Sequence, residues 1–149
     1  MTSLRDFIAA RLDEDFDVAT AAGSGRWVHE GHGRVGDDSA DDYNDYVIVY
    51  DEGAPTEAQA DHIARHDPAR VLREVAAKRR VLARHCTPEA DDYRAKYGGE
   101  LGCVGCGDWE SGSADIVWNV EYIENCPELR DLAAPFSDHP DFDPNWSTT

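Results

Sequence analysis

Apolar side chains recur at helical spacing near the start of the chain: Leu4, Phe7, Ile8, Leu12 and Phe16 share one stripe with polar residues between them. Ser3 and Asp6 form a weak capping box, with Asp where Glu or Gln is usual. Gly23 and Gly25 stop the pattern, so a helix is expected over about 3–21. Arg26-Trp27-Val28-His29 reads as a short strand, and Tyr46 to Tyr50, β-branched and aromatic, as the best strand in the chain. The Gly- and Asp-rich stretch from Gly31 to Asp42 reads as a mobile loop joining the two into a small hairpin. Glu52 to Pro55 is turn chemistry. Thr56-Glu57-Ala58-Gln59 supplies a full capping box for a second helix over about 57–66. Asp67-Pro68 then restarts a helix over about 68–85, with Asp as N-cap and Pro at the first helical position. Val71, Leu72, Val75, Ala76 and Leu82 line one side of it.

Beyond this helix the pattern weakens. Residues 87–102 are a polar, Gly-containing excursion, Ile116 to Tyr122 reads as a strand, and Asn125 to Ala134 as a short capped helix. Trp27, Tyr46, Trp118 and Tyr122 are expected in the core; Trp109 and Trp146 are candidates for exposure. Phe136, Phe142 and Trp146 are expected to fold the tail back onto the domain. The fold class is therefore α+β: a small antiparallel sheet, three main helices and a C-terminal part that needs a staple. One domain of 149 residues is expected, made of a helix, hairpin and helical-corner part (1–84), a stapled part (85–134) and an aromatic tail (135–149).

Charge changes the picture in one respect. The chain carries a net charge of −17, which opposes sequence-independent binding to nucleic acid and docking on anionic lipid. Residues 65–84 nevertheless hold seven of the fourteen bases and only two acids, Asp67 and Glu74, while seven acids and no base lie between Asp37 and Glu52. A basic helix neutralised inside an acidic protein is the preferred reading, with Arg70, Arg73 and Arg79 paired to acids of the same chain. A helix that reads phosphates and an acidic surface that mimics DNA are the rivals. No apolar run approaches the roughly 20 residues of a membrane span. No apolar stretch follows Arg5, so no secretory leader is expected and the compartment expected is the cytoplasm.

The cysteines carry the strongest chemistry. Cys103-Val104-Gly105-Cys106-Gly107 has the form of a zinc knuckle, because two intervening residues let both sulfurs turn to one ion. Cys126 opens a helix, where the dipole favours a thiolate. A fourth ligand would close a structural tetrahedron, and His85 and Cys86 stand together at the end of the long helix. Their side chains leave a helix about 100° apart, so only one of them faces the knuckle. Free buried cysteines and a redox C-x-x-C are the competing readings. His62 and His66 lie four apart on a helix but lack the Glu of H-E-x-x-H, having Ile63 there, so no metal is expected between them.

The run His62-Ile63-Ala64-Arg65-His66-Asp67-Pro68-Ala69-Arg70-Val71-Leu72-Arg73-Glu74-Val75 resembles a family of small uncharacterised proteins of actinobacteria and their phages. So do Cys126-Pro127-Glu128-Leu129-Arg130, Ala133-Ala134-Pro135-Phe136, and Asp138-His139-Pro140-Asp141-Phe142 with Trp146. In that family a His ending the long helix precedes the C-x-x-C and the Cys-Pro, which implies His85 rather than Cys86 as the fourth ligand. The expected site is one structural zinc on His85, Cys103, Cys106 and Cys126. The resemblance implies a mobile-element setting and no reaction. The function expected is that of a non-enzymatic accessory or regulatory protein with a protein partner. A nucleic-acid-associated factor using helix 65–84 is the alternative, and a metal-dependent hydrolase at His62 and His66 a further one.

Overall fold

The computed structural model describes residues 2–23, 25–41, 46–49, 55–112 and 115–147. The expected turn at 52–54 and the end of the strand at Tyr50 lie outside them. Among the described residues the chain is α+β, with five α-helices and a small antiparallel three-stranded sheet. Two compact units divide it: Met1–Leu12 with Ala77–Thr149, and Asp13–Ala76. Two helices, α1 (Leu4–Ala21) and α3 (Pro68–Arg84), contribute residues to both. No described helix is long and apolar enough to cross a membrane.

The unit Asp13–Ala76 contains the sheet. Its strands β1 (Trp27–Gly31), β2 (Arg34–Asp37) and β3 (Val47–Val49) pair antiparallel in the order β1-β2-β3. This corrects the expected hairpin, because β2 lies inside the stretch read as a loop and separates the two predicted strands. The turn that makes it possible is Gly31-His32-Gly33, all three at positive φ (89°, 55° and 72°). Two glycines supply that conformation without strain. Strand β2 escapes a hydrophobicity reading because Val35 is its one large apolar residue, buried at the centre of the register opposite His29 and Val49. Gly36 is required by contact: an added Cβ would stand 2.6 Å from the Tyr46 ring.

Helix α2 (Glu57–Arg65) starts on the expected capping box. Thr56 Oγ1 accepts from the Gln59 N–H at 3.3 Å, and Gln59 Oε1 accepts from the Thr56 N–H at 2.9 Å. The helix is held to β1 through His29, whose Nδ1 lies 2.7 Å from Asp61 and whose Nε2 lies 3.2 Å from Glu57. Asp67 caps α3 as its position before Pro68 implies, accepting from the Arg70 N–H at 2.6 Å.

In the other unit the first turns of α1 bury Leu4, Phe7, Ile8 and Leu12. Phe16, expected on the same stripe, is 40% exposed. The Phe7 ring is met by Phe136, His139, Phe142 and Trp146 at centroid distances of 5.1–6.5 Å, and by the Arg11 guanidinium over its face. Trp146 is buried here, so of its two readings the folded-back tail is the one observed. The stretch read as an excursion contains α4 (Tyr93–Gly98), capped by Asp92. A two-stranded ladder follows, β4 (Asp108–Glu110) against β5 (Ile116–Trp118). β5 ends four residues before the expected strand does, and Tyr122 is consequently 48% exposed instead of in the core. Helix α5 (Pro127–Ala133) ends the regular structure.

Candidate metal centre

Three local structures bring four donor side chains together. His85 follows the last turn of α3, where its N–H still bonds to the Val81 carbonyl at 3.2 Å. Cys103 and Cys106 flank a single 3-10 turn, Val104–Cys106, closed by the Cys106 N–H on the Cys103 carbonyl. Cys126 stands at the N-cap of α5, with Pro127 at the first helical position. The backbone sets their mutual position: the Val104 N–H donates to the Cys86 carbonyl at 2.8 Å, and the Cys103 N–H to the Val120 carbonyl at 2.9 Å. Gly105 is the residue that lets the turn approach the helix. A Cβ there would meet the Arg84 carbonyl and His85 Nδ1, each at 2.7 Å.

His85 Nδ1 lies 3.4 Å from Cys103 Sγ, 3.7 Å from Cys106 Sγ and 3.3 Å from Cys126 Sγ, and Cys106 and Cys126 are 3.5 Å apart. All four donor atoms fall within 4.8 Å of one another. The sulfur separation is far beyond the roughly 2.05 Å of a disulfide, and all four cysteines of the chain are free. Cys103, Cys126 and His85 are buried and Cys106 is partly so. Burial pushes the Cys126 thiol up to about 11 and the Cys106 thiol further in the same direction. Without a cation these two sulfurs therefore stay protonated at neutral pH, and an ion that binds them displaces their protons. The Leu129 N–H donates to Cys126 and acts in the opposite sense.

Cys86 contributes its carbonyl to this arrangement and its thiol stands outside the cluster. Glu128 is the neighbour that sequence reasoning missed: its Oε2 is 3.4 Å from both Cys106 Sγ and Cys126 Sγ. Its own backbone N–H, with the two thiols adding, holds its carboxyl below the usual range. The available signal was its place in the first turn of the helix that Cys126 opens. His62 and His66 stack at 4.4 Å between ring centroids. Among the described residues no third histidine, cysteine or carboxylate completes a metal-capable group with them.

An α+β chain with a buried His/Cys3 cluster capable of holding a metal ion is thus what the fold and the site define. The sequence matches the Family of unknown function (DUF6221) over residues 1–148, and the chain belongs to that family. No curated protein and no solved structure matches it.

Proposed function

We propose that His85, Cys103, Cys106 and Cys126 hold one structural zinc ion, and that the protein is a non-enzymatic accessory or regulatory factor that binds a protein partner. Tetrahedral zinc with bonds of about 2.3 Å to sulfur and about 2.0–2.1 Å to nitrogen has S–S edges of about 3.8 Å and S–N edges of about 3.6 Å. The separations of 3.3–3.7 Å given above lie close to those edges. Three thiolates and an imidazole suit zinc, and four protein ligands leave no position for a reactive water.

The observation that carries the partner reading is the outer face of the β4–β5 ladder. Trp109 and Val117 are cross-strand neighbours in register, 55% and 37% exposed, in the stretch that the metal orders. An exposed tryptophan on a small rigid ladder is the kind of anchor that dominates protein interfaces. The resemblance to small actinobacterial and phage proteins supports a cytoplasmic, mobile-element setting.

Metal analysis of the purified chain and affinity capture from the native host test both parts. One zinc per chain is expected, lost in His85→Ala and kept in Cys86→Ala; the reverse would move the ligand to Cys86. Trp109→Ala should keep the zinc and lose the captured protein. Capture unaffected by Trp109→Ala would sink the interface, and salt-sensitive retention of DNA would favour the nucleic-acid alternative.

A further inference from the structure

Within the unit Asp13–Ala76, β1 and the corner between α2 and α3 border an open groove of about 490 Å³ whose lining residues include four arginines, Arg26, Arg65, Arg70 and Arg73. We propose that this groove is a binding site for a phosphate dianion of the monoester type, independent of the metal centre.

Most of the charges that line the groove are already engaged. Arg70 is tied down, its Nε donating to Glu74 at 2.7 Å and its Nη1 to the Arg65 carbonyl at 3.1 Å. The two carboxylates that line the groove are also occupied: Asp61 faces His29 Nδ1 at 2.7 Å, and Asp67 caps α3 through the Arg70 N–H at 2.6 Å. Arg26 has a loose, exposed partner in Asp38 at 3.7 Å. Arg65 and Arg73 have no side-chain hydrogen bond or ion pair among the described residues, which corrects the expectation that Arg73 pairs with an acid of this chain. Two arginines without a side-chain partner thus line one groove, with its two carboxylates already engaged elsewhere. Their planar forks of N–H donors match the oxygens of a phosphate, and two of them balance a dianion.

The chain's overall charge selects among phosphate sources. At −17 the protein repels a polyanion, whose many charges sample the whole field, while a compact ligand senses mainly charges within the roughly 8 Å screening length. A single phosphate group is thus favoured over a nucleic-acid backbone, whose phosphodiesters carry one charge each and arrive in series.

The test is a titration of the full-length, metal-loaded protein, labelled at arginine nitrogen, followed through the Nε–Hε resonances. The probes are inorganic phosphate, phenyl phosphate as a monoester, and sodium chloride at matched ionic strength. Saturable shifts of Arg65 and Arg73 are expected with both phosphates and not with chloride. Both residues are exposed, so the variant R65Q/R73Q should keep its amide spectrum and lose at least about tenfold in affinity, as the removal of two charge-assisted hydrogen bonds implies. R84Q, at the far end of α3, should bind unchanged. Binding of phosphate alone, without the monoester, would place a free-ion site here. Equal shifts with chloride, undiminished binding by R65Q/R73Q, or tighter binding of a DNA duplex than of phenyl phosphate would overturn the proposal.

Discussion

The knuckle region, residues 85–126, and the sheet region, residues 27–49, close by different means. In the sheet the main chain does the work: strand pairs satisfy the backbone, and among the described residues Val35 is the one large apolar side chain that is deeply buried. In the knuckle the only described ladder is the short β4–β5 pair, the other contacts between its segments are single backbone bonds, and the organising element is four donor atoms around one point. A ladder needs only itself, whereas a set of donors that all point inward needs a cation at the centre. The contrast implies that the two regions fail under different perturbations.

Removing the metal is the largest of these. Structural zinc contributes on the order of 10 kcal/mol in small domains, comparable with the whole stability of a protein this size. A strong chelator should abolish hydrogen-exchange protection at the Cys103 and Val104 amides while the amides of β2 stay protected. Simultaneous loss in both regions would erase the distinction, and protection at Cys103 that survives the chelator would remove the metal from the account.

A single methyl group should separate the regions next. In Gly105→Ala the new Cβ meets a backbone carbonyl and the ligand nitrogen at 2.7 Å, neither of which can move cheaply. The cost should lie at or beyond the upper end of the roughly 1–3 kcal/mol typical of overpacking, with zinc affinity falling in parallel. Gly36→Ala meets the side-chain ring of Tyr46, which is only half-buried and can swing outward, so its cost should sit at the lower end and leave zinc untouched. Melting curves with metal titration compare the two variants; equal costs would mean that the ring is as fixed as the carbonyl.

Smaller effects follow at the α2 helix. Thr56→Ala removes one half of the capping box and should cost about 1 kcal/mol, read in urea denaturation, with no change in metal content. The double variant H62A/H66A should be smallest of all, with the same zinc stoichiometry as the parent and stability within about 0.5 kcal/mol, as for exposed positions. Loss of a metal equivalent from it would reveal a second centre.

What the sequence made readable was chemistry written at fixed spacing. Asp67-Pro68 and Thr56 with Gln59 announce helix starts because a cap is a local bond between neighbours, and the observed contacts are those bonds. Cys103, Cys106 and Cys126 announced themselves as thiols, and the family resemblance singled out His85 from Cys86, whose thiol lies outside the cluster. Strand β2 stayed hidden because its partners, and not its composition, make it a strand. Glu128 stayed hidden for the related reason that a carboxylate in an acidic chain carries no signal until a neighbour gives it one. The folding back of the tail is legible in its aromatics, but its partner is not, since nothing local marks Phe7, 139 positions earlier, as the ring that Trp146 meets.

The Glu124 carboxylate accepts from the Leu4 N–H at 3.1 Å, across 120 residues, and this long reach orders events on the ribosome. Synthesis delivers residues 13–76 uninterrupted, so every partner in that unit has been made before Cys103 is polymerised. Helix α1 is translated before that unit, yet its capping carboxylate and the rings that meet Phe7 lie 120 to 139 residues further along the chain. Until residues 124–146 are made, Leu4, Phe7, Ile8 and Leu12 form an orphaned greasy stripe, the kind of surface that a nascent chain must shield with a chaperone or hold in the exit tunnel's vicinity. Closing so large a loop is also a slow step, so the start of α1 acquires its permanent neighbours only after the whole unit Asp13–Ala76 has had time to form.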